Sequence, residues 1–451
     1  MNEKVARQYV AVIGAGPSGL FAARELVGKG FGVALLNRDI KPGGLAEYGI
    51  YPTKTRMKEG LRNQFRQILA LEDLAYFGNV LVGTNGDLSL DALRDMGFHA
   101  LLVAVGAQSA KRLGIPGEDL TGVYHAKDVV YHYNVLPPFS ETTYQIGKRV
   151  AVIGAGNVMM DITHWLIEEQ NVERVIAVAR RGPGEVKFDR KELEGLVGYI
   201  DLEDLDQELG RVEPIMREVL QDPNDFRTMI ADTLKKAGPV NRDACFSLRF
   251  LSSPARILEG ERGQVAGLQV EKNILALGDD GECRAKGTGE FERIDVDTVI
   301  FAIGDIVDGA LGLPLERGEF VKSTNPRFPL EGISYESFDP ITGQEIPDLF
   351  LTGWARRPSV GLVGVARKDA INAVQAVTQY LQTVPSTTEP VIDRLRDALS
   401  KVGHPVVEKH DLMRLQALEL EKARAMGLPE YKFNTNQAML EVLGLVSSRE
   451  T

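Results

Sequence analysis

The apolar positions of this chain fall into short dense runs, each followed by a longer stretch with helical spacing. YVAVIGAG (9–16), FGVALLN (31–37), VAVIGAG (150–156), VERVIAVARR (172–181) and DLFLTG (348–353) are short and almost continuously apolar. They read as buried strands of parallel sheets. LFAARELVGKG (20–30), NVMMDITHWLI (157–167) and the stretch from Gly361 to Leu381 have apolar residues three and four apart, which predicts helices. The order strand, glycine turn, helix, strand occurs twice. Its six residues AVIGAG are spelled identically at 11–16 and 151–156. PSTTEPVIDRLRDALSKVGH (385–404) reads as a linker and an exposed helix, and FNTNQAML (433–440) as a helix start capped by Thr435 or Asn436.

This order predicts an α/β chain with two Rossmann-like, three-layer dinucleotide-binding domains. The segments GAQSAKRLGIPGE (106–118) and LPLERGEFVKS (313–323) mark crossings between them. The first domain is then discontinuous, 1–108 plus 330–451, and the second spans 109–329.

Each glycine turn has a definable chemistry. In the first, Gly14 permits the tight turn, Gly16 lets the backbone approach a pyrophosphate, and Gly19 lets the helix pack close to the strand. The helix start, with Pro17 and Ser18, offers amides to phosphates. The residue after the second strand, commonly an acid that binds ribose hydroxyls, is Asn37. The adjacent glycines of KPGGLAEYGI (41–50) suit either close backbone approach to a ligand or a plain turn. The second copy, Gly154-Ala155-Gly156-Asn157-Val158, has Met159 in place of the third glycine. The strand after it ends in Arg180-Arg181, which suits a 2′-phosphate and favours NADPH, with NADH possible. Two such units can hold a flavin dinucleotide and a nicotinamide dinucleotide and pass a hydride between them. Gly353-Trp354 and the helix start near Gly361 would face the flavin, the helix favouring negative charge in front of it.

Composition narrows the setting. The chain has 451 residues, enough for two or three domains, with 44% hydrophobic and 25% charged residues. A net charge of −11 argues against nucleic acid or an anionic membrane as a general partner. The two cysteines, Cys245 and Cys283, form no CxxC, which excludes a thioredoxin-reductase-type dithiol. No apolar run reaches the ~18–20 residues of a spanning helix, and the expected location is cytoplasmic. The six histidines show no metal-ligand spacing, so no metal is expected.

Taken together, AVIGAGPSGL, GGLAEYGI, YFGNVLVG, GIPGEDLTGVYHAKDVVYHYN, AVIGAGNVMMD, ARRGPGEVKFDRKEL, SLRFLSSP, GWARRPSVGL and GLPEYKFNTNQAMLEVLGL span nearly the whole chain. They resemble the adrenodoxin-reductase-like ferredoxin–NADP⁺ reductases, which are related to the small subunit of glutamate synthase. The resemblance implies a glutathione-reductase-like architecture and an FAD-dependent NADPH oxidoreductase serving a ferredoxin or an iron–sulfur oxidoreductase subunit. It implies FAD at Gly14, Gly16, Pro17, Ser18, Gly19, Asn37, Gly44, Leu45, Val82, Gly353, Trp354, Gly361, Leu362 and Val363. NADPH is implied at Gly154, Ala155, Gly156, Asn157, Val158, Arg180 and Arg181, with Glu192 an acid near the nicotinamide. Gly361, Trp354 and Glu192 are the implied residues at the reacting rings.

The chain also departs from the family. Asn37 replaces a ribose-binding Glu, Met159 a small residue, and Lys54 a His. The segment that carries docking arginines in adrenodoxin reductase reads EVLQDPNDFRTMIADTLKK (218–236) here and would repel an acidic ferredoxin. Two other readings follow: an electron-input subunit of a larger complex, as in glutamate synthase, and a non-catalytic dinucleotide-binding redox sensor.

Overall fold

The computed structural model describes residues 6–240 and 243–447. The chain divides into two compact units, Met1–Ala110 with Tyr131–Glu141 and Gly304–Thr451, and Lys111–Val130 with Thr142–Ile303.

The first unit is built on a six-stranded sheet ordered Glu336–Asp339, Gln344–Leu351, Ala100–Val103, Tyr9–Ile13, Gly32–Asn37, Leu74–Gly78. All neighbours are parallel except the first pair. Strand side chains alternate between two cores, as the two-residue period requires. Val10, Val12, Val33 and Leu35 pack with Leu20, Phe21, Ala370 and Val374 of the Pro17–Gly28 and Val363–Leu381 helices. Ala11, Ile13, Ala34 and Leu36 face the opposite core. These two helix-covered faces make the unit three layers deep. Residues 304–329, which the linker pattern placed in the second domain, lie in this unit. Val307, Leu311, Leu313 and Phe320 bury themselves in that opposite core, and this burial outweighs the linker-like composition of their segment. The helix expected to be exposed, Val391–Leu399, buries Val391, Leu395 and Leu399 there as well. Its four-residue apolar spacing is the signature of a half-buried helix.

The second unit has a five-stranded parallel sheet ordered Val123–His125, Thr298–Phe301, Arg149–Ile153, Arg174–Val178, Cys245–Arg249. The Asn157–Glu169 helix packs against its central strands. Ala151, Ile153, Ile176 and Phe301 share a core with Ile257, Leu268, Val270 and Ile294 of a three-stranded antiparallel sheet. Among the described residues no helix is long and apolar enough to cross a membrane.

Candidate dinucleotide-binding sites

In the first unit the turn Gly14–Gly19 joins the Tyr9–Ile13 strand to the Pro17–Gly28 helix. Gly14 has φ +104°, and a Cβ on it would lie 2.5 Å from the Ala104 carbonyl oxygen. A Cβ on Gly19 would lie 1.8 Å from the Gly14 carbonyl oxygen. Both positions therefore need glycine for the fold itself. Gly16 differs: a Cβ there meets no atom within 4 Å. The space before the helix start is open, with Pro17 filling the first turn where an amide would lack a partner. Of the three glycines of the turn, Gly16 alone has an open Cβ position.

Two further segments converge on this turn. Gly43 N–H donates to the Ala15 carbonyl at 2.7 Å. Gly44, with φ +49°, sits so near Gly16 that a Cβ would be 3.0 Å from its Cα. Gly44 is thus a packing requirement against the first turn, whereas a Cβ on Gly43, at φ +117°, would lie 2.8 Å from Glu47 Cβ. Leu45 follows in the Leu45–Tyr48 helix and packs with Tyr48, Tyr131 and Leu136. From the C-terminal part, Gly353 (φ +61°) stands over Ser18, leaving no room for a Cβ beside Ser18 Oγ. Ser18 Oγ also reaches the Ala366 carbonyl of the Val363–Leu381 helix at 3.5 Å.

Asn37 ends the second strand and is only 8% exposed. Its Oδ1 accepts from Ala15 N–H at 3.0 Å, and its Nδ2 donates to the Asp39 and Lys41 carbonyls at 2.8 and 3.1 Å. The amide braces the glycine turn against the following loop. An acid cannot do this, since a carboxylate has no N–H to give to the two carbonyls. Val82 is buried in the core with Val80 and Leu88.

Trp354 donates its indole N–H to the Val360 and Gly361 carbonyls at 3.1 and 3.3 Å. It thereby holds the loop that leads into the Val363–Leu381 helix. Gly361 has φ +76°, and a Cβ would lie 2.5 Å from Val365 Cβ. Leu362 is 71% exposed at the helix start, directly before Val363. Asp369 was not singled out from sequence. It accepts from Gly353 N–H at 2.6 Å, from Thr352 Oγ1 at 3.2 Å and from Arg356 Nε at 3.0 Å. It therefore fixes the Gly353–Trp354 turn from below. The readable signal was an acid next to Ala370 on the buried face of an amphipathic helix.

The second unit repeats the turn. Gly154 has φ +146°, with a Cβ position 2.4 Å from the Ala302 carbonyl oxygen, and Gly156 faces open space. The Ala155 carbonyl accepts from Lys187 N–H at 2.7 Å. Asn157 Oδ1 accepts from Asp189 N–H at 2.8 Å and its Nδ2 donates to Asp189 Oδ2 at 2.9 Å, while Val158 is exposed. Met159 is fully buried and fills the volume a third glycine would leave. Arg180 and Arg181 follow the Arg174–Val178 strand. Their backbone carbonyls accept from Asn273 Nδ2 (2.8 Å) and Leu251 N–H (3.1 Å), which pins the pair in place. Among the described residues neither guanidinium has an ion-pair partner. Glu192 is half-buried in the short Arg190–Glu194 helix.

A family model described as pyridine nucleotide-disulphide oxidoreductase matches residues 8–185. The mitochondrial NADPH:adrenodoxin oxidoreductase of Arabidopsis thaliana is 30% identical over 409 residues, covering 83% of this chain and 82% of that protein. The chain belongs to the adrenodoxin reductase family. Within the family, NADPH-ferredoxin reductase FprA of Mycobacterium leprae is 28% identical over 96% of this chain and 98% of its own length. The Bos taurus mitochondrial NADPH:adrenodoxin oxidoreductase is 27% identical, covering 96% of this chain and 92% of its own. The structure of Mycobacterium tuberculosis FprA in complex with NADPH matches with a TM-score of 0.80 at 25% identity, covering 97% of this chain and 99% of that one. The family and the two dinucleotide-binding folds expected from sequence thus both stand.

Proposed function

We propose that the protein is an FAD-dependent NADPH oxidoreductase that exchanges electrons with an iron–sulfur protein of the ferredoxin type. One observation carries this reading. Gly16 and Gly156 each stand at a helix start with open space where a Cβ would be, so the chain has two pyrophosphate cradles rather than one.

The first cradle fits FAD. Gly16, Pro17, Ser18 and Gly19 present the helix start, Gly44 and Leu45 close one side, and Gly353, Trp354, Gly361, Leu362 and Val363 close another. Asn37 and Val82 support this site from within the fold. The second cradle fits NADPH, with Gly154 to Val158 at the pyrophosphate and Arg180 and Arg181 toward the 2′-phosphate. Bound flavin supplies acceptance of a hydride from the nicotinamide and its onward delivery as single electrons. The chain's own contribution is binding and alignment, and no acid–base pair is required. Trp354 holds the loop before the Val363–Leu381 helix, whose N-terminal amides favour negative charge in front of them. Glu192 is assigned to the nicotinamide side on the family motif.

A second reading, an electron-input subunit within a larger complex, is favoured by residues 218–236. Every cation there is already paired: Arg227 with Asp206 at 3.0 Å, Lys235 with Asp232 at 2.7 Å, Lys236 with Glu194 at 3.7 Å. Such a surface offers an acidic carrier little. A cytoplasmic setting belongs to the same proposal, as Cys245 and Cys283 are both free thiols. Affinity capture of native partners by the full chain, followed by NADPH-driven reduction of each, tests the reading. Reduction of an iron–sulfur protein supports it, and the absence of any NADPH-dependent reductase activity, with artificial acceptors included, rejects it.

A further inference from the structure

The C-terminal segment carries charge into the interior of the first unit. The Glu47 carboxylate receives Arg62 Nε and Nη2 at 2.7 Å each, Lys432 at 3.1 Å and Lys41 at 3.7 Å. Glu430 pairs with Lys58 at 3.2 Å, with Lys432 at 3.5 Å and with Arg62. Glu419 pairs with Lys41 at 2.6 Å. Lys432 Nζ also donates to the carbonyls of Glu47 (3.1 Å) and Asn134 (3.0 Å), and lies 4.7 Å from the Tyr48 ring centroid. Four cations and three carboxylates are thus gathered under the Leu45–Tyr48 helix, one positive charge in excess. Taking buried charges from water costs much of what their pairing returns, so the cluster is a poor device for stability alone. Its position points to a ligand: Glu47 follows Gly43 and Gly44, which press on Ala15 and Gly16.

We propose that Lys432 is a positioning residue for the dinucleotide at the first glycine turn: with Glu430 it latches Glu47, Glu47 seats Gly43–Gly44 against Gly16, and the excess positive charge lies behind an anionic pyrophosphate. This rests on the first turn being the FAD site. Two consequences separate it from plain packing. Burial drives the Lys432 ammonium down to about 8, against the opposing pull of Glu47 and Glu430, with Lys58 and Lys41 adding to the fall. Tyr48 and Arg62 complete the groups around it. A bound anion favours the charged ammonium, so FAD is held less tightly as pH rises through that value.

FAD release from the full-length holoprotein, followed by recovery of flavin fluorescence on dilution, tests this. Wild type should lose FAD about tenfold more readily at pH ~9 than at pH ~7, as expected when a charged contact is removed. Lys432→Met should release FAD at pH ~7 about tenfold more readily than wild type and show no further pH dependence. Lys432→Arg, whose guanidinium stays charged across this range, should hold FAD at pH ~9 about as tightly as at pH ~7, and it keeps the test alive if Lys432→Met does not fold. Wild-type release independent of pH, or a Lys432→Met profile matching wild type, overturns the latch. A wild-type protein that binds no FAD overturns instead the assignment of the first turn.

Discussion

Gly19 stands so close to Gly14 that a Cβ on it would lie 1.8 Å from the Gly14 carbonyl oxygen, whereas Gly16 between them faces open space. The two kinds of glycine should separate cleanly on substitution. Gly19→Val should prevent stable folding. Gly16→Val should fold, with an apoprotein melting within a few degrees of wild type, a ΔΔG of under about 1 kcal/mol for an unopposed side chain. Its flavin content, read as the ratio of flavin to protein absorbance, should fall close to zero. Gly156→Val should keep flavin and lose NADPH binding. Full flavin occupancy in Gly16→Val would place the pyrophosphate elsewhere.

Arg180 and Arg181 follow the Arg174–Val178 strand of the second unit with no carboxylate partner among the described residues. Charge-assisted bonds to a phosphate are worth about 1.5–3 kcal/mol each, and a tenfold preference needs only ~1.4. NADPH should be preferred over NADH by about one to two orders of magnitude in kcat/KM. Changing both to Ala should erase most of that gap through a raised KM for NADPH, with NADH use hardly altered. Steady-state kinetics with both coenzymes decide; a wild-type preference for NADH would assign the pair another role.

Trp354→Phe keeps an aromatic ring and removes the N–H that holds Val360 and Gly361. A net hydrogen bond is worth about 0.5–1.5 kcal/mol, so flavin reduction by NADPH should slow about two- to tenfold while FAD stays bound. Stopped-flow bleaching of the flavin measures it. Gly361 is a poorer probe, because its positive φ and its closeness to Val365 make any side chain there disturb the helix start itself.

Asp369→Ala should lower stability by about 3–5 kcal/mol, the usual result of stranding one partner of a buried ion pair, here Arg356. It also frees Gly353 N–H, so flavin should be lost in parallel. Urea unfolding of the holoprotein and of its Asp369→Asn counterpart, which keeps one acceptor and should lose less, checks the assignment.

The repeated strands, the glycine turns and the tight packing at Gly14 and Gly19 were legible because they depend on local spacing. Contacts distant in sequence were not. Nothing near Asn37 announces that its amide bonds Ala15, Asp39 and Lys41 and so braces the turn. Residues 313–323 look like a linker because their apolar side chains are sparse, yet Leu313 and Phe320, with Val307 and Leu311 before them, enter the first unit's core. The cap at Thr435 was within reach: its Oγ1 accepts from Ala438 N–H at 2.9 Å. The charge cluster of Glu47, Glu419, Glu430 and Lys432 was not, since each looks like an ordinary surface residue until partners as far as 385 positions away arrive.

Anaerobic titration of the purified full-length protein with NADPH, followed by the visible flavin spectrum, tests the central claim most directly. The account predicts a yellow protein whose flavin bleaches with about one equivalent of NADPH, a two-electron hydride transfer, and far less readily with NADH. A protein that stays colourless after added FAD, or a bound flavin that NADPH leaves oxidised, would contradict it.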